Sequence, residues 1–329
     1  MHRRQFLGAG AMLSLAPITK SFAGAWPDRP VTMIVPSSPG GSTDITARVL
    51  AQKLGAELGQ TVVVDNRPGA NGAIGLMQIA RAQPDGYTIG VSTNTYLTFN
   101  PSLYPSLQYD SLRDFTPVAL ATFIPNVLVV RADLPAQDIA SLVDYMRSRK
   151  KALDYSSAGY GSSAHLAAEL FRQQTGVDML HVPYKGGAPA MADLLAGQVQ
   201  LSFPPLPEAY PYLQDGRIRA LGMTTRERSP LLPDVPSISE VLPGYELVLW
   251  NGIIGPAGLP ADVAGKLAAA VQATVRDGEV KSKLMEQGSL IPDSYGTPEA
   301  FSAFLKAEMA NAQKLVASAG LRKDDAGKP

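Results

Sequence analysis

The sequence predicts an α/β protein of two lobes, and three observations carry that prediction. Strand-like and helix-like runs alternate along most of the chain, the alternation starts afresh near Val127, and three helical segments after Trp250 have no sheet of their own. Alternating strands and helices predict largely parallel sheets with helices on their faces. A length of 329 residues fits two domains at about 150 residues each.

The elements follow in order. Val31-Thr-Met-Ile-Val35 is a β-rich run that ends in the breaker Pro36-Ser-Ser-Pro-Gly-Gly41. A helix over 42–58 follows, with Ala47, Leu50, Leu54 and Leu58 on one stripe. Residues 61–64 form the next strand. The loop Asp65-Asn-Arg-Pro-Gly69, a helix over 72–82 and a strand over 87–92 complete the first set. The second set opens with a strand over 127–130 and a helix over 138–150. A strand over 153–157 leads through Ala158-Gly-Tyr-Gly-Ser162 to a helix over 163–175. Strands over 179–182, 199–203 and 220–224 finish it, with a helix over 188–196. A short strand at Gly252-Ile-Ile254 precedes the C-terminal helices, the last over 297–318, and the tail from Arg322 is polar.

With no sheet of their own, the C-terminal helices return to the first lobe. Lobe 1 is then discontinuous, 26–125 plus 250–329, and lobe 2 is 126–249. The chain crosses twice, near 123–127 and 247–252, and two crossovers make a hinge on which lobes close around a ligand.

Composition excludes several functions. The 29 basic and 29 acidic side chains cancel, which argues against nucleic acid as the main partner. There is no cysteine, so disulfides, thiolate catalysis and Cys-based metal sites are ruled out. Outside the leader only His165 and His181 remain, without metal-ligand spacing, and no Walker-type loop occurs. No metal and no cofactor is expected.

Residues 1–25 read as an export signal. Arg3-Arg4 precedes an apolar stretch too short to span a bilayer comfortably, and Ser21-Phe-Ala-Gly-Ala25 supplies small-residue cleavage points after Ala23 or Ala25. Arg3-Arg4 with Phe6-Leu7 looks like a twin-arginine signal; a general secretory signal is the alternative. The expected location is the periplasm.

Two loops carry the chemistry. The first, Pro36 to Asp44, joins a strand end to a helix start. Unpaired N–H groups and the positive end of the dipole make such a start an anion site. Ser42 and Asp44 also read as plain N-caps; Asp44 repels a carboxylate and suits loop orientation instead. The second loop, Ser156 to His165, holds the same position in the second lobe. Ser162 and Ser163 are its best donors, and His165 reads as a capping or packing residue or as a ligand contact. Ligands of open α/β sheets sit beyond the carboxyl ends of the strands. Hydrolysis by Ser162 and His165 is disfavoured: the loop has no Gly-x-Ser-x-Gly elbow and no third orienting group is evident. Gly69-x-x-Gly72-x-x-Gly75 is read as a tight loop and helix entry.

The order of motifs resembles the Bug family, the tripartite tricarboxylate transporter substrate-binding proteins (TctC), across nearly all of the chain after the leader. The resemblance rests on Trp26-Pro-x-Arg-Pro30, Pro39-Gly-Gly-x-x-Asp44, Val64-Asp-Asn-Arg-Pro-Gly69 and Pro84-Asp-Gly-Tyr-Thr88. It continues in Gly161-Ser-x-x-His-Leu166, His181-Val-Pro-Tyr-Lys-Gly-Gly-Ala-Pro-Ala190, Asp193-Leu-Leu-x-Gly-Gln198, Arg219-Ala-Leu221 and Pro233-Asp-Val-Pro236. It implies a periplasmic-binding-protein (Venus flytrap) fold, two α/β sandwich domains joined by two hinge crossovers, without catalysis or cofactor. It also implies a monomer that takes a di- or tricarboxylate or another organic acid and hands it to the membrane subunits of a tripartite tricarboxylate transporter. A sensory co-receptor is the alternative and a periplasmic hydrolase a remote one. Carried onto this chain, the ligand-binding set is Ser38, Gly40, Gly41, Ser42 and Asp44 in the first loop, and Ser157, Gly161, Ser162, Ser163 and His165 in the second. Asn94, Thr95 and Pro204 complete it. Two positions depart from the family pattern. Ser37 replaces a frequent aromatic residue. Pro204-Pro205 stands where many members carry Asp, which tilts against amino acids unless nearby Glu208 compensates.

Overall fold

Runs of β-branched residues become strands where a Gly, Pro or Asn turn follows them, and the longer stripes between become helices. The computed structural model describes residues 26–318 together with 320 and 321. The leader, with its two cleavage points, and the tail from Arg322 lie outside the described residues.

The first set is β1 (Val31–Val35), α1 (Ser42–Leu58), β2 (Val62–Asn66), α2 (Ala73–Ala80), β3 (Thr88–Thr93), the short α3 (Asn100–Leu103) and β4 (Phe115–Pro125). The second runs β5 (Val127–Arg131), α4 (Ile139–Ser148), β6 (Leu153–Ser157), α5 (Ser163–Thr175), β7 (Met179–Pro183), α6 (Gly187–Leu195), β8 (Leu201–Ser202), α7 (Leu206–Gln214) and β9 (Ile218–Met223). The chain then returns through β10 (Val248–Pro256), α8 (Ala261–Arg276), α9 (Gly278–Glu286) and α10 (Pro298–Ser318).

Two five-stranded sheets result, ordered β2-β1-β3-β10-β4 and β7-β6-β8-β5-β9. In the first, β1 pairs parallel with β2 and β3, whereas β10 is antiparallel to both β3 and β4. In the second, β6 pairs parallel with β7 and β8, and β5 is antiparallel to both β8 and β9. Each sheet is therefore mixed rather than wholly parallel, with one reversed strand in fourth place. The physical reason is the crossover: the reversed strand is the one that has just arrived from the other lobe. The two sheets share one topology, so β1 corresponds to β6, α1 to α5, β2 to β7 and β3 to β8.

Packing follows the helical stripes. Helix α1 buries Ala47, Leu50, Ala51, Leu54 and Leu58 in one cluster with Val31, Met33 and Val35 of β1. Full burial of each leucine is worth about 1.5–3 kcal/mol. The helix stops at Gly59, whose φ of 70° is the left-handed C-cap that glycine adopts without strain. In the second lobe Leu166, Ala167 and Phe171 of α5 pack with Leu128 and Val130 of β5.

Three elements lay outside the predicted pattern, and β10 was predicted only at 252–254. Strand β4 carries Pro117 and Pro125, and it tolerates them because it is the edge strand. Strand β10 is nine residues long; Asn251, Gly252 and Gly255 hide most of it behind turn signals. Gly252 is needed because a Cβ there would run into the ring of Phe301 on α10. Helix α7 is masked by Pro207 and Pro211. The segment after β3 forms a turn of π-helix, Thr95–Phe99, that runs into α3.

The two sheets meet at a compact hinge. The first sheet ends at Pro125 and the second begins at Val127, with only Asn126 between. On the return, the second sheet is left at Met223 and the first rejoined at Val248. The Thr224 amide donates to the Asn126 carbonyl at 3.0 Å and the Leu247 amide to the Thr224 carbonyl at 3.0 Å. The Thr224 hydroxyl accepts the Asn126 amide at 3.0 Å and donates to the Leu247 carbonyl at 2.6 Å. One side chain thus ties both hinge strands.

Helix α10 departs from the simple two-lobe division. Its first half places Phe301 and Leu305 against Ile34, Leu76 and Trp250 of the first lobe. Its second half places Ala312 and Val316 among Leu166 and Phe171 of the second. The helix is long enough to leave one core and enter the other.

Candidate functional site

A cleft of about 710 Å³ lies between the sheets, at the carboxyl ends of their parallel strands, where open α/β sheets bind ligands. Three pairs of corresponding segments build its walls. Residues 36–38 and 41–43 after β1 match 157–160 and 162–164 after β6. Residues 68–72 after β2 match 184–187 after β7. Thr93, Thr95 and Tyr96 at the end of β3 match Ser202, Pro204, Pro205 and Glu208 at and after β8.

In the first loop, Gly40 turns the chain at φ 79°, a conformation that suits glycine. Its amide donates to Asp44 Oδ2 at 2.9 Å. Asp44 also accepts from Arg48 Nε at 3.0 Å and from Asn66 Nδ2 at 2.9 Å, and Asn66 donates to the Ser37 carbonyl at 3.1 Å. Burial alone raises the Asp44 carboxyl pKa. The bonds from Arg48, Gly40 and Asn66 outweigh it and hold the group below its usual value. The N-cap of α1 is Gly41, without a side-chain cap. This corrects the capping alternative for Ser42 and Asp44. The amides of Ser42, Thr43 and Asp44 have no intrahelical carbonyl to bind, and the Ser42 amide instead donates to Glu208 Oε1 of the other lobe at 2.7 Å.

In the second loop, Ser162 is the N-cap of α5, its Oγ accepting the His165 amide at 3.3 Å. Ser163 Oγ accepts from Asn126 Nδ2 at 3.1 Å. Both hydroxyls are used here as acceptors, so each keeps its proton for a ligand. Ser157 Oγ meets His181 Nε2 at 2.6 Å and accepts the Gly159 amide at 3.1 Å. His165 is 2% exposed, with ring contacts to His181 at 4.2 Å and Tyr160 at 4.5 Å. Its Nδ1 accepts the Gly161 amide at 3.1 Å. Ser162 Oγ thus bonds the His165 backbone amide, and the His165 ring holds the Gly161 turn.

Of the predicted set, Ser38, Gly41, Ser42, Thr95, Ser157, Ser162, Ser163 and Pro204 line the cleft. Gly40, Asp44, Asn94, Gly161 and His165 do not. Gly40 and Gly161, both at positive φ, shape their turns; Asp44 and His165 hold those turns from behind through the Gly40 and Gly161 amides. Asn94 turns away, donating to the Val248 carbonyl at 2.8 Å and accepting the Thr95 amide at 3.0 Å.

Sequence reasoning missed three parts of the wall, Pro68 to Gly72, Tyr184 to Gly187 and Tyr96, and had Glu208 only as an acidic residue near Pro204. The signal for the first two was available, since Asp65-Asn-Arg-Pro-Gly69 and Val182-Pro-Tyr-Lys-Gly-Gly187 are each a strand end running into a Gly turn. Asn71, at φ 49°, reaches across the cleft to the Tyr160 carbonyl at 2.8 Å. With the Ser38 hydroxyl donating to the Lys185 carbonyl at 2.5 Å, it shows the lobes in contact across the cleft mouth.

Glu208 stands on the first turn of α7 and is buried. Desolvation pushes its carboxyl up to about 7, against the pull of the Ser42 amide and hydroxyl. Tyr96 is raised as well, by burial and then by the Glu208 charge. Among the described residues no group of three or more His, Cys, Asp or Glu could hold a metal ion.

Two mixed sheets of one topology, a hinge of two crossovers and anion-friendly helix starts facing a common cleft define a two-lobed solute-binding protein of the periplasmic type. Residues 46–321 match the family described as tripartite tricarboxylate transporter family receptor, TctC, and the chain belongs to that family. The periplasmic binding protein BugD is 36% identical and superimposes with a TM-score of 0.87, covering 91% of this chain and 100% of its own. A Rhodopseudomonas palustris protein solved with adipate is 38% identical, TM-score 0.86, over 90% of this chain and 98% of its own. MatC from the same organism, with bound malate, is 33% identical, TM-score 0.84, over 88% and 100%. Family membership makes this an exported solute-binding protein rather than an enzyme. No helix among the described residues is long and apolar enough to cross a membrane.

Proposed function

We propose that this protein captures a small organic acid in the interlobe cleft and delivers it to the membrane subunits of a tripartite tricarboxylate transporter. The observation that carries the reading is the pair of corresponding helix starts, Gly41 to Thr43 on α1 and Ser162 to Ala164 on α5, on opposite walls of one cleft. Both are helix starts with hydroxyls that suit an anion, although on α1 the Ser42 amide already donates to Glu208. The Ser37 and Thr93 hydroxyls, also on the wall, are buried without a hydrogen-bond partner among the described residues, and a polar ligand satisfies such groups. The adipate and malate of the related structures are acids of the expected size. Export uses the leader, with cleavage after Ala23 or Ala25, and the mature protein works as a monomer. The lobes that close are 126–249 against 26–125 with 250–329, α10 packing on both.

The test is thermal stability of the ligand-stripped protein against di- and tricarboxylates, amino acids, hydroxy acids and aromatic acids. At 100 times the dissociation constant, one of them adds about 2.7 kcal/mol of stability. A shift with a neutral sugar or a metal, and with no acid, overturns the reading. Mass analysis of ligand retained on purification identifies the acid without a guess.

A further inference from the structure

A helix start that should receive a ligand carboxylate already holds one. Glu208, from α7 of the second lobe, accepts the Ser42 amide at the start of α1 at 2.7 Å across 166 residues of sequence. Its other oxygen lies against Gly187 at the start of α6, where even a Cβ would collide with the carboxylate. The group is thus wedged between a helix start from each lobe, on the wall of the cleft. A buried carboxylate accepts up to about four hydrogen bonds. Among the described residues its donors come from Ser42, and no ion pair there joins Glu208 to Lys185, which lines the same cleft. A desolvated carboxylate gains from each further donor it meets, and the cleft that Glu208 lines is where a ligand can supply one.

We propose that Glu208 is a resident carboxylate that replaces one end of a diacid. On this reading the preferred ligand carries one carboxylate and ends in a hydrogen-bond donor, an ammonium or a hydroxyl group. The inference rests on the carboxylate-binding reading above and narrows it. The ligand carboxylate goes to the α5 start, where Ser162 and Ser163 have hydroxyl protons to give. The donor end goes to Glu208. Above about pH 7, where Glu208 is ionised, a second ligand carboxylate meets a like charge at the α1 start, and like charges brought together in a buried site are strongly disfavoured.

Isothermal titration of the ligand-stripped protein with length-matched acids tests this. The sets are succinate, 4-aminobutyrate and 4-hydroxybutyrate, and adipate, 6-aminohexanoate and 6-hydroxyhexanoate. The expected result is at least a tenfold preference for a donor-ended acid over its diacid, lost or reversed in Glu208→Gln. The variant keeps the shape and the acceptor for Ser42 while removing the charge. A wild-type preference for the diacid overturns the proposal and leaves carboxylate binding standing, whether or not the variant folds. An unchanged ratio in a folded Glu208→Gln overturns it equally. Failure of all six acids to bind overturns this inference; the reading beneath it falls if the wider panel of acids above also fails to bind.

Discussion

Replacing Glu208 by Gln should change the pH dependence of stability in a definite direction. Burial disfavours the charged form and pushes the carboxyl up to about 7, from about 4.5 for an ordinary glutamate. At about 1.4 kcal/mol for each tenfold change in the ionisation equilibrium, this displacement corresponds to about 3 kcal/mol. An acid whose pKa is higher folded than unfolded stabilises the fold while both states hold the proton, below about pH 4.5. That contribution is lost as pH rises towards 7 and is gone above it. The neighbours do not reverse the sign. Tyr96 is neutral throughout this range, its pKa being raised. Asp44 is already ionised and engaged with Arg48 and Gly40. Lys185 lines the cleft without an ion pair to Glu208.

Urea denaturation of ligand-free wild type and Glu208→Gln at pH 4, 5.5, 7 and 8 measures the effect. The two should lie close together at pH 4, where the glutamate is neutral and nearly isosteric with glutamine. By pH 8 the wild type should have lost about 3 kcal/mol relative to the variant. A difference independent of pH, or a wild type that gains on the variant as pH rises, refutes the placement of a strained, largely desolvated carboxylate in the closed cleft.

Three further outcomes follow from named contacts. Thr224→Val keeps the shape but leaves the Asn126 amide and the Leu247 carbonyl short of a partner at the hinge; it should cost about 1–3 kcal/mol in chemical denaturation. Ser163→Ala should weaken the retained ligand about five- to tenfold in calorimetry, the worth of one hydrogen bond of about 1 kcal/mol. Asp44→Ala strips the acceptor from Gly40, Arg48 and Asn66 together and should destabilise by about 2–4 kcal/mol at pH 7. Since the Asp44 carboxyl titrates below its usual value when folded, the difference should shrink as pH falls below about 4, where the wild-type group takes up its proton.

Legibility in the sequence followed the distance over which each feature is determined. Helix α1 could be read because its stripe, the preceding Gly-Gly turn and Gly59 at its end all act within a few residues. Helix α5 could be read for the same reason, with Ser162 before it and Gly176 after it. Strand β10 was mostly hidden because its glycine answers to Phe301, about fifty residues away, and not to a local turn. Helix α7 was hidden because prolines at its second and sixth positions resemble breakers, although the first sits where the amide would be unpaired anyway. In the site, the two Gly/Ser loops were local signals. The orienting role of Asp44 was legible there too, whereas the way His165 holds its own turn, and the way Asn94 after β3 faces β10, depend on the fold.

Glu208 illustrates why the remaining part of the site depends on the fold. In sequence it is an ordinary acidic residue in the first turn of a helix, where it favours its own dipole. The lobe-to-lobe geometry gives it a second helix dipole, that of α1, reached only when the hinge at Asn126 and Thr224 holds the sheets together. The same contact therefore links three properties. It joins the lobes through the Ser42 amide, places a negative charge where a diacid would put its own, and holds a carboxyl at a pKa near neutrality. A ligand donor brought to Glu208 would stabilise its charged form and strengthen the interlobe contact in one step, whereas an incoming carboxylate would have to break that contact or bring a proton with it. Selectivity and closure in this cleft thus depend on the same side chain, which is why a single substitution, Glu208→Gln, is expected to move ligand preference and pH-dependent stability together.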